Sequence, residues 1–591
     1  MSSMRRVGSL MNVESEVSFA NVSIERICSP APNKVDTRLG TKVICTLGPK
    51  SSSVPVIANM LRAGMSVARF DFSYGDHAYH QRMLDNLRAA MKKTGINCAT
   101  MLDTRGPELV VLGYERAHPI TLTAGKNIRV SGTAVHHAPS PVASPYKAAA
   151  AAEPASPVEL DENGVPVERG AYERATSESL TINWPDVVSG VPVGAQIFIG
   201  PYLYTGSETS SAYLEVVGYD GDALVCKCLN DTVLGGAVIL TVMVCNAEVP
   251  FPVMSARDEH DIATWGKKNK IDYLSLSFTR SVADVQHARQ VLARHGMEHI
   301  MIIAKIENLA GLNEFDNILS VADGIVFSRG NLGMEVREEK MFRVQKHVIH
   351  RCNEEGKPVV ITRVVDSMVN APRPTRAEAT DVANAVLDGC DAIMLGAETT
   401  RGIDPVMATE TLITISQEAR QMYDHNGHYV RVMDRAAGGS AMSNWNDQRG
   451  MENSMSEMEA LASSAVRAAD KSGAKLIICY TRSGNAARLL AKYKPPVPVL
   501  TYVVPTLHND GLRWQFRGDS VARQMLIMHG LVPVLADPSV ATEEAFTSDS
   551  GPLLDESIRH AVNEGLCTYG DTVVVSQKLG RHAVVQVLNV E

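Results

Sequence analysis

An interrupted rhythm constrains this chain more than any other feature. Apolar strand-like runs alternate with helical stretches three times, stop from residue 109 to 249, and then resume five times. The first three runs are Thr41–Pro49, Ser66–Ser73 and Cys98–Thr104, with helical patterns at 53–63 and 77–93. The later five are Tyr273–Phe278, Met301–Glu307, Gly324–Gly330, Pro358–Val365 and Ala392–Thr399, each followed by a helical stretch. Alternating β and α units imply a parallel sheet, and eight of them close into a TIM (β/α)8 barrel. The fold class expected is therefore α/β.

The interruption has a different texture. Short alternating runs such as Asn127–Val130, Gln196–Ile199, Tyr213–Val217, Ala223–Cys228 and Ala237–Val244 are separated by turn residues, with no good helix among them. That pattern predicts an inserted all-β domain. Residues 134–170, rich in Ala, Pro, Ser and charges, read as a disordered loop within it. After a polar connector, strands at Lys475–Tyr480, Val497–Val503, Pro533–Leu535, Thr572–Val575 and Ala583–Leu588 surround helices such as Glu459–Lys471 and predict a smaller α/β unit. The expected division is an N-terminal extension at 1–38, barrel segments at 39–108 and 250–424, the inserted β domain at 109–249, and a C-terminal α/β domain at 425–591.

In a barrel of this kind the chemistry lies at the C-terminal strand ends. Those ends supply Arg69, Asp71, Ser73, Asp103, Thr104, Lys305, Glu307, Asn331 and Thr362. Lys305 and Glu307 are two apart, so both leave one face of their strand. About one βα unit later comes the glycine-lined turn Arg329-Gly330-Asn331-Leu332-Gly333. A lone Lys-x-Glu is usually a surface ion pair. Its recurrence beside other polar strand ends points to a site for a polyanionic substrate and a divalent metal. In the C-terminal unit, Thr481-Arg482-Ser483-Gly484-Asn485 joins a strand to a helix and is a candidate effector loop for an anion, although a plain turn capped by Ser accounts for it at least as well.

The net charge of -9 and pI near 6.0 argue against nucleic acid as a partner. The ten cysteines are scattered, and Cys226-x-Cys228 lacks the paired spacing of a zinc site, so buried thiols in a reducing compartment are expected. No apolar run approaches a membrane span, and residues 1–38 lack a secretory pattern. A cytoplasmic protein that engages no membrane is the expectation.

Several motifs together carry a resemblance. I-C-T-L-G-P at 44–49, A-R-F-D-F-S at 68–73, L-D-T-R-G-P-E at 102–108, A-K-I-E-N at 304–308, S-R-G-N-L-G at 328–333 and P-R-P-T-R-A-E-A-T-D-V-A-N-A-V-L-D-G at 372–389 resemble pyruvate kinase. The similarity runs from about residue 39 to the end, and Val573–Glu591 looks more like the plant cytosolic type than the animal type. The resemblance implies phosphoryl transfer from phosphoenolpyruvate to ADP, giving pyruvate and ATP in glycolysis, with Mg²⁺ (or Mn²⁺) and K⁺. It implies that Lys305 and Arg69 act on the phosphoryl group, with Gly330 and Thr362 near the pyruvyl carboxylate. Glu307 and Asn331 would hold the divalent ion, and Asp71, Ser73, Asp103 and Thr104 the monovalent one. Glu108 matches the K⁺-dependent members. A homotetramer, or a hetero-oligomer with a paralogue, is the implied assembly.

The chain departs from that family at telling places. Asn331 stands where the family has a second acidic metal ligand, and Asp71 where it has Asn. Val110 replaces an arginine, Ile199-Gly-Pro-Tyr202 replaces an acidic turn, and Val242–Phe251 lacks the family's lysine. Two readings follow: a working but divergent kinase in which Arg105 or another basic group compensates, or a catalytically impaired paralogue serving as a structural or regulatory subunit.

Overall fold

The computed structural model describes residues 38–107, 109–115, 118–133, 174–200, 211–235, 240–245, 247, 249, 251–436, 455–509, 514–539, 551–579 and 582–591. The 1–38 extension apart from residue 38, the 134–170 loop, Glu108, and Pro201 and Tyr202 of the replaced turn lie outside the described residues.

Strands β1 (Lys42–Thr46), β2 (Met65–Asp71) and β3 (Ala99–Asp103) open the barrel. The insert contributes β4 (Leu109–Leu112), β5 (Ile120–Leu122), β6 (Asn127–Gly132), β7 (Ser179–Ile182), β8 (Gln196–Gly200), β9 (Ala212–Asp220), β10 (Ala223–Cys228), β11 (Thr232–Leu234) and β12 (Thr241–Val244). The barrel is then completed by β13 (Tyr273–Leu276), β14 (Met301–Ile306), β15 (Gly324–Phe327), β16 (Val359–Thr362) and β17 (Ala392–Leu395). Its eight strands close in the order β1-β17-β16-β15-β14-β13-β3-β2, all parallel.

Register explains where the polar groups fall. Ile44, Val67, Met101, Tyr273, Ile303, Val326 and Val360 share the apolar cluster of the barrel interior. Because side chains alternate along a strand, the next inward positions towards the C-terminal ends are Thr46, Arg69, Asp103, Ser275, Lys305 and Thr362. The opposite parity faces the surrounding helices: Phe70 and Phe72 pack with Trp265 at 5.3 and 5.1 Å between ring centroids. The helical stretch expected after the Gly324–Gly330 run is here Glu338–Glu355, following β15. Residues Arg329–Leu332 form a single helical turn rather than an open loop.

Seven strands of the insert close into a second, smaller barrel in the order β10-β6-β7-β4-β12-β8-β9, while β5 and β11 pair separately. Buried Trp184, Ile197, Leu214 and Leu224 fill it. Cys226 and Cys228 share a parity and are both buried, as are all the free cysteines among the described residues. One short helix, Val187–Gly190, interrupts the expected all-β pattern.

The C-terminal unit adds β18 (Leu476–Thr481), β19 (Val499–Val503), the hairpin β20 (Thr506–Asn509) and β21 (Trp514–Arg517), then β22 (Leu531–Leu535), β23 (Thr572–Leu579) and β24 (His582–Asn589). Five of these form one sheet in the order β22-β19-β18-β23-β24, antiparallel only at β23–β24. This unit docks on the barrel's N-terminal face. There Arg523 Nε meets Asp272 at 2.9 Å, and Lys494 Nζ meets Asp391 at 3.0 Å. Each acid directly precedes a barrel strand and also accepts a backbone N–H, from Thr100 and Val359 respectively. Acids at this end of the barrel fasten structure, and those at the other end are free for chemistry.

Candidate active site

The C-terminal face of the barrel gathers five charged side chains into a space almost closed to water. Arg69, Asp71, Asp103, Lys305 and Glu307 are all less than a tenth exposed. Asp103 stands at the centre. Arg69 Nε donates to its Oδ2 at 2.8 Å, and Lys305 Nζ approaches the same oxygen at 3.2 Å. Arg69 also donates through Nη2 to Asp71 Oδ2 and through Nη1 to Thr46 Oγ1, both at 3.0 Å. Lys305 lies 3.4 Å from Glu307 Oε1 and 3.1 Å from Ser277 Oγ.

Electrostatics follow from this packing. Burial alone would raise the Asp103 carboxyl, but the charges of Arg69 and Lys305 outweigh it and hold the group below the ordinary carboxylate range. Burial alone would discharge Lys305, yet Asp103 and Glu307 more than compensate and raise its pKa above the usual lysine value. Both groups are thus charged at neutral pH. Three carboxyl groups, those of Asp71, Asp103 and Glu307, surround the two cations here.

Glu307 follows β14 directly and is held from two sides. Its Oε2 accepts from Phe278 N at 2.9 Å, and its Oε1 accepts from Asn331 Nδ2 at 3.1 Å. Gly330 lies at the turn before Asn331, where a Cβ would sit 2.5 Å from Arg363 Cδ, so no larger residue fits without displacing that side chain. Thr362 Oγ1 donates to Phe327 O at 3.3 Å at the end of β16. Ser73 donates its N–H to Asp71 Oδ1 at 3.1 Å, and Thr104 Oγ1 accepts from Ser277 N at 3.0 Å.

The donor sets can be tested against the ions that the resemblance implies. Among the described residues, no group of three or more His, Cys, Asp or Glu is placed to hold a metal. Mg²⁺ needs less than that, because it binds through one or two carboxylates together with waters and substrate phosphates. Glu307 beside Asn331 fits once the amide is turned to present its oxygen. For a monovalent ion the fitting observation is Asp103 Oδ1, a buried carboxylate oxygen on the strand position paired with Asp71. Among the described residues it has only the Ser275 hydroxyl as a neighbouring donor and forms no well-aligned hydrogen bond.

Side chains outside the expected set also belong to this face. Thr46 and Ser277 contact Arg69 and Lys305 directly, and Arg329 ties the neighbouring strand ends together. Arg329 Nε donates to Thr362 O at 2.9 Å and Nη1 to Asp381 Oδ1 at 2.8 Å. Thr46 and Ser277 were open to detection, because they lie on the same inward parity as Arg69 and Lys305. Arg329 has no such signal.

Between insert and barrel lies a cavity of about 370 Å³, lined by Phe198, Val242, Val244, Phe278, Arg280 and Asn331 among others. Its insert side is apolar. Val110 is tied into the small barrel, donating its N–H to Asn183 Oδ1 at 2.7 Å. Ile199 is buried in the same core. Of the basic groups nearby, Arg105 Nη2 reaches Ser73 O at 3.5 Å and does not line the cavity, whereas Arg280 borders it.

The turn Thr481–Asn485 lies far along the chain, in the C-terminal sheet. Gly484 N donates to Thr481 Oγ1 at 2.9 Å and Asn485 N to Ser483 Oγ at 3.5 Å. The hydroxyls of the turn already occupy two of the N–H groups that an anion would need.

Comparison with known proteins completes the picture. The family model described as pyruvate kinase, barrel domain, matches residues 38–141 and 152–409, and the pyruvate kinase alpha/beta domain matches 459–588. The chain is 43% identical over 555 residues to pyruvate kinase 2, cytosolic, from Oryza sativa subsp. indica, covering 93% of this chain and 94% of the relative. It is 38% identical to the cytosolic isozyme of Nicotiana tabacum, covering 93% and 96% respectively. A crystal structure of a pyruvate kinase from Cryptosporidium parvum superposes with a TM-score of 0.76 at 30% identity, over 96% of this chain and all of that one.

Proposed function

The chain belongs to the pyruvate kinase family, and we propose from that premise how its own residues perform the reaction. It is a phosphotransferase that moves the phosphoryl group of phosphoenolpyruvate to ADP, forming pyruvate and ATP. The single observation that supports the assignment of roles is the buried cluster in which Arg69 and Lys305 converge on Asp103 beside Glu307.

In the transfer, the bond between phosphorus and the enol oxygen breaks while a terminal oxygen of ADP bonds to phosphorus. The enolate then takes a proton at its terminal carbon to become pyruvate. Transfer of this kind depends on positioning and on neutralising the developing charge. Lys305, kept protonated by Asp103 and Glu307, offers a fixed positive charge to the moving phosphoryl group. Arg69 is oriented by Asp71, Asp103 and Thr46, leaving little freedom for its guanidinium to reorganise. Gly330 and Thr362 border the place assigned to the pyruvyl carboxylate. Arg105 is the cation assigned to the nucleotide side, in place of those missing from the insert.

Family members generally use Mg²⁺ and K⁺. Glu307 and Asn331 would hold the divalent ion, which when bound supplies positive charge against the phosphoryl oxygens. Asp71, Ser73, Asp103 and Thr104 would hold the monovalent one. The matched plant relatives are cytosolic, which supports a cytoplasmic location for this chain. Among the described residues, no helix is long and apolar enough to cross a membrane. The comparisons lend nothing to the impaired-subunit reading. Native mass measurement distinguishes the expected homotetramer from a hetero-oligomer with a paralogue.

A lactate-dehydrogenase-coupled assay with phosphoenolpyruvate, ADP, Mg²⁺ or Mn²⁺ and K⁺ tests this. Activity in the parent that is abolished by Lys305→Met is the expected outcome. A parent without turnover, and no recovery in Asn331→Asp, would overturn it.

A further inference from the structure

The turn after β13, Ser277-Phe278-Thr279-Arg280, touches both the insert's connections and the charged cluster. Arg280 Nη1 donates to Val249 O at 2.6 Å and Nη2 to Phe251 O at 2.8 Å. Both carbonyls lie on the segment that brings the insert back to the barrel. The outgoing segment packs on the same turn. At Gly106, with φ of +74°, a Cβ would lie 3.1 Å from Ser277 Cβ and 3.3 Å from Phe278 Cδ2. On its inner side, Phe278 N donates to Glu307 Oε2 at 2.9 Å, and Ser277 Oγ lies 3.1 Å from Lys305 Nζ while donating to Thr104 O at 2.6 Å.

Phe278 holds a left-handed φ of +53°. A bulky residue keeps that conformation only where its surroundings over-determine it. Two restraints on the following residues are visible: the paired carbonyl contacts of the Arg280 guanidinium, and the bond from Arg280 N to Asp284 Oδ2 at 3.0 Å. The first of these ends on the insert's return segment, the second on the barrel's own helix. The aim of Phe278 N at Glu307 therefore depends in part on where the insert stands.

We propose that this turn couples the position of the insert to the Lys305–Glu307 pair, with Arg280 as the positioning residue that transmits it. The proposal rests on the reading of Glu307 as the metal-holding carboxylate. A planar guanidinium fixes two carbonyls at once and so sets the orientation of the turn, which a lysine ammonium cannot do. When the return segment shifts, Arg280 follows it. Phe278 N then leaves Glu307, and the carboxylate loses a charge-assisted hydrogen bond that orients it towards the metal.

The test compares the full chain with Arg280→Met, Arg280→Lys and Glu307→Gln. Mn²⁺ affinity is measured by electron paramagnetic resonance of the free ion, and amide hydrogen exchange is followed at 241–245 and 276–279. Arg280→Met is expected to weaken Mn²⁺ binding about tenfold, the size of one hydrogen bond to a charged group. Exchange should rise in both segments together, and Arg280→Lys should recover only part of the loss. Faster exchange at 241–245 with Mn²⁺ affinity unchanged would overturn the coupling, as would full recovery in Arg280→Lys. Should Arg280→Met lower the melting temperature, Arg280→Lys carries the same comparison. Unchanged Mn²⁺ affinity in Glu307→Gln overturns the reading of Glu307 and the coupling with it. An impaired Glu307→Gln beside an unaffected Arg280→Met overturns the coupling alone.

Discussion

Asn331→Asp restores a charge at the one metal-side position where this chain carries an amide. The amide sits 3.1 Å from Glu307 Oε1, so the substitution brings two carboxylates together. Two unit charges about 4 Å apart interact by roughly 4 kcal/mol at an effective dielectric near 20. Asn331 is half-buried rather than enclosed, and solvent screening reduces that figure, so about a third is taken to survive, or ~1.4 kcal/mol. Its sign depends on the ion. Without metal the two carboxylates repel, and the variant should melt at a lower temperature than the parent. With Mn²⁺ present the same charge is attractive, and affinity should rise about tenfold. Titration of Mn²⁺ by electron paramagnetic resonance gives the affinity, and thermal melts with and without metal give the stability change. In the coupled assay, kcat/KM at limiting Mg²⁺ should rise with the affinity. An affinity within twofold of the parent, or a metal-free melting temperature that does not move, would refute the electrostatic argument.

Three other expectations follow from buried charges. Lys305→Met removes the cation facing the phosphoryl group, and at roughly 4 kcal/mol the turnover should fall about a thousandfold in the coupled assay. Glu398, buried on the same face of the barrel, has its pKa raised to about 7, first by burial and then by the charge of Asp366. An acid raised in the folded state stabilises fully below its unfolded pKa and loses that contribution as pH rises through 7, by about 3 kcal/mol. Melting temperatures from pH 5 to 8 should therefore fall less steeply in Glu398→Gln than in the parent, and parallel profiles would sink the idea. Lys494→Met strands Asp391 at the junction of barrel and C-terminal sheet and should cost about 3 kcal/mol. Adding Asp391→Asn should recover part of that loss in a thermal melt, whereas simple addition of the two effects would count against the pair.

The barrel was legible because its evidence is local. Each strand is a short apolar run with a helical pattern behind it, and the inward parity through Val67, Met101 and Ile303 leads directly to Arg69, Asp103 and Lys305. The insert was harder to read. Strands β4 and β7 have four residues each, too few for alternation to stand out. Closure into a second barrel depends on pairings such as Val111 with Ile182, far apart in sequence. The turn at Ser277–Arg280 was missed for another reason. Ser, Phe and Arg after a strand are ordinary residues, and the residues following the left-handed Phe278 are held by contacts from two separate segments, the insert's return segment and the helix at Asp284. Arg329 stands in a turn that the sequence singles out, but its bracing role was invisible, since its partners Thr362 and Asp381 lie on other βα units.

The insert leaves the barrel after β3 and returns through the helical segment beginning at Ala256, yet β3 and β13 still pair directly, Leu102 beside Leu274. It is thus an overgrown version of one βα loop. Lengthening such a loop adds little to the entropy of closing it, and the barrel's hydrogen-bond ladder does not pass through it. The eight barrel strands keep an unbroken ladder past the point where the insert leaves and re-enters. Val110, Ile199 and most of the Val242–Phe251 segment lie in the insert, while the strand ends beneath them carry Arg69, Lys305 and Glu307 together with the departures Asp71 and Asn331. A fold divided in this way can retune what it admits without rebuilding what it does.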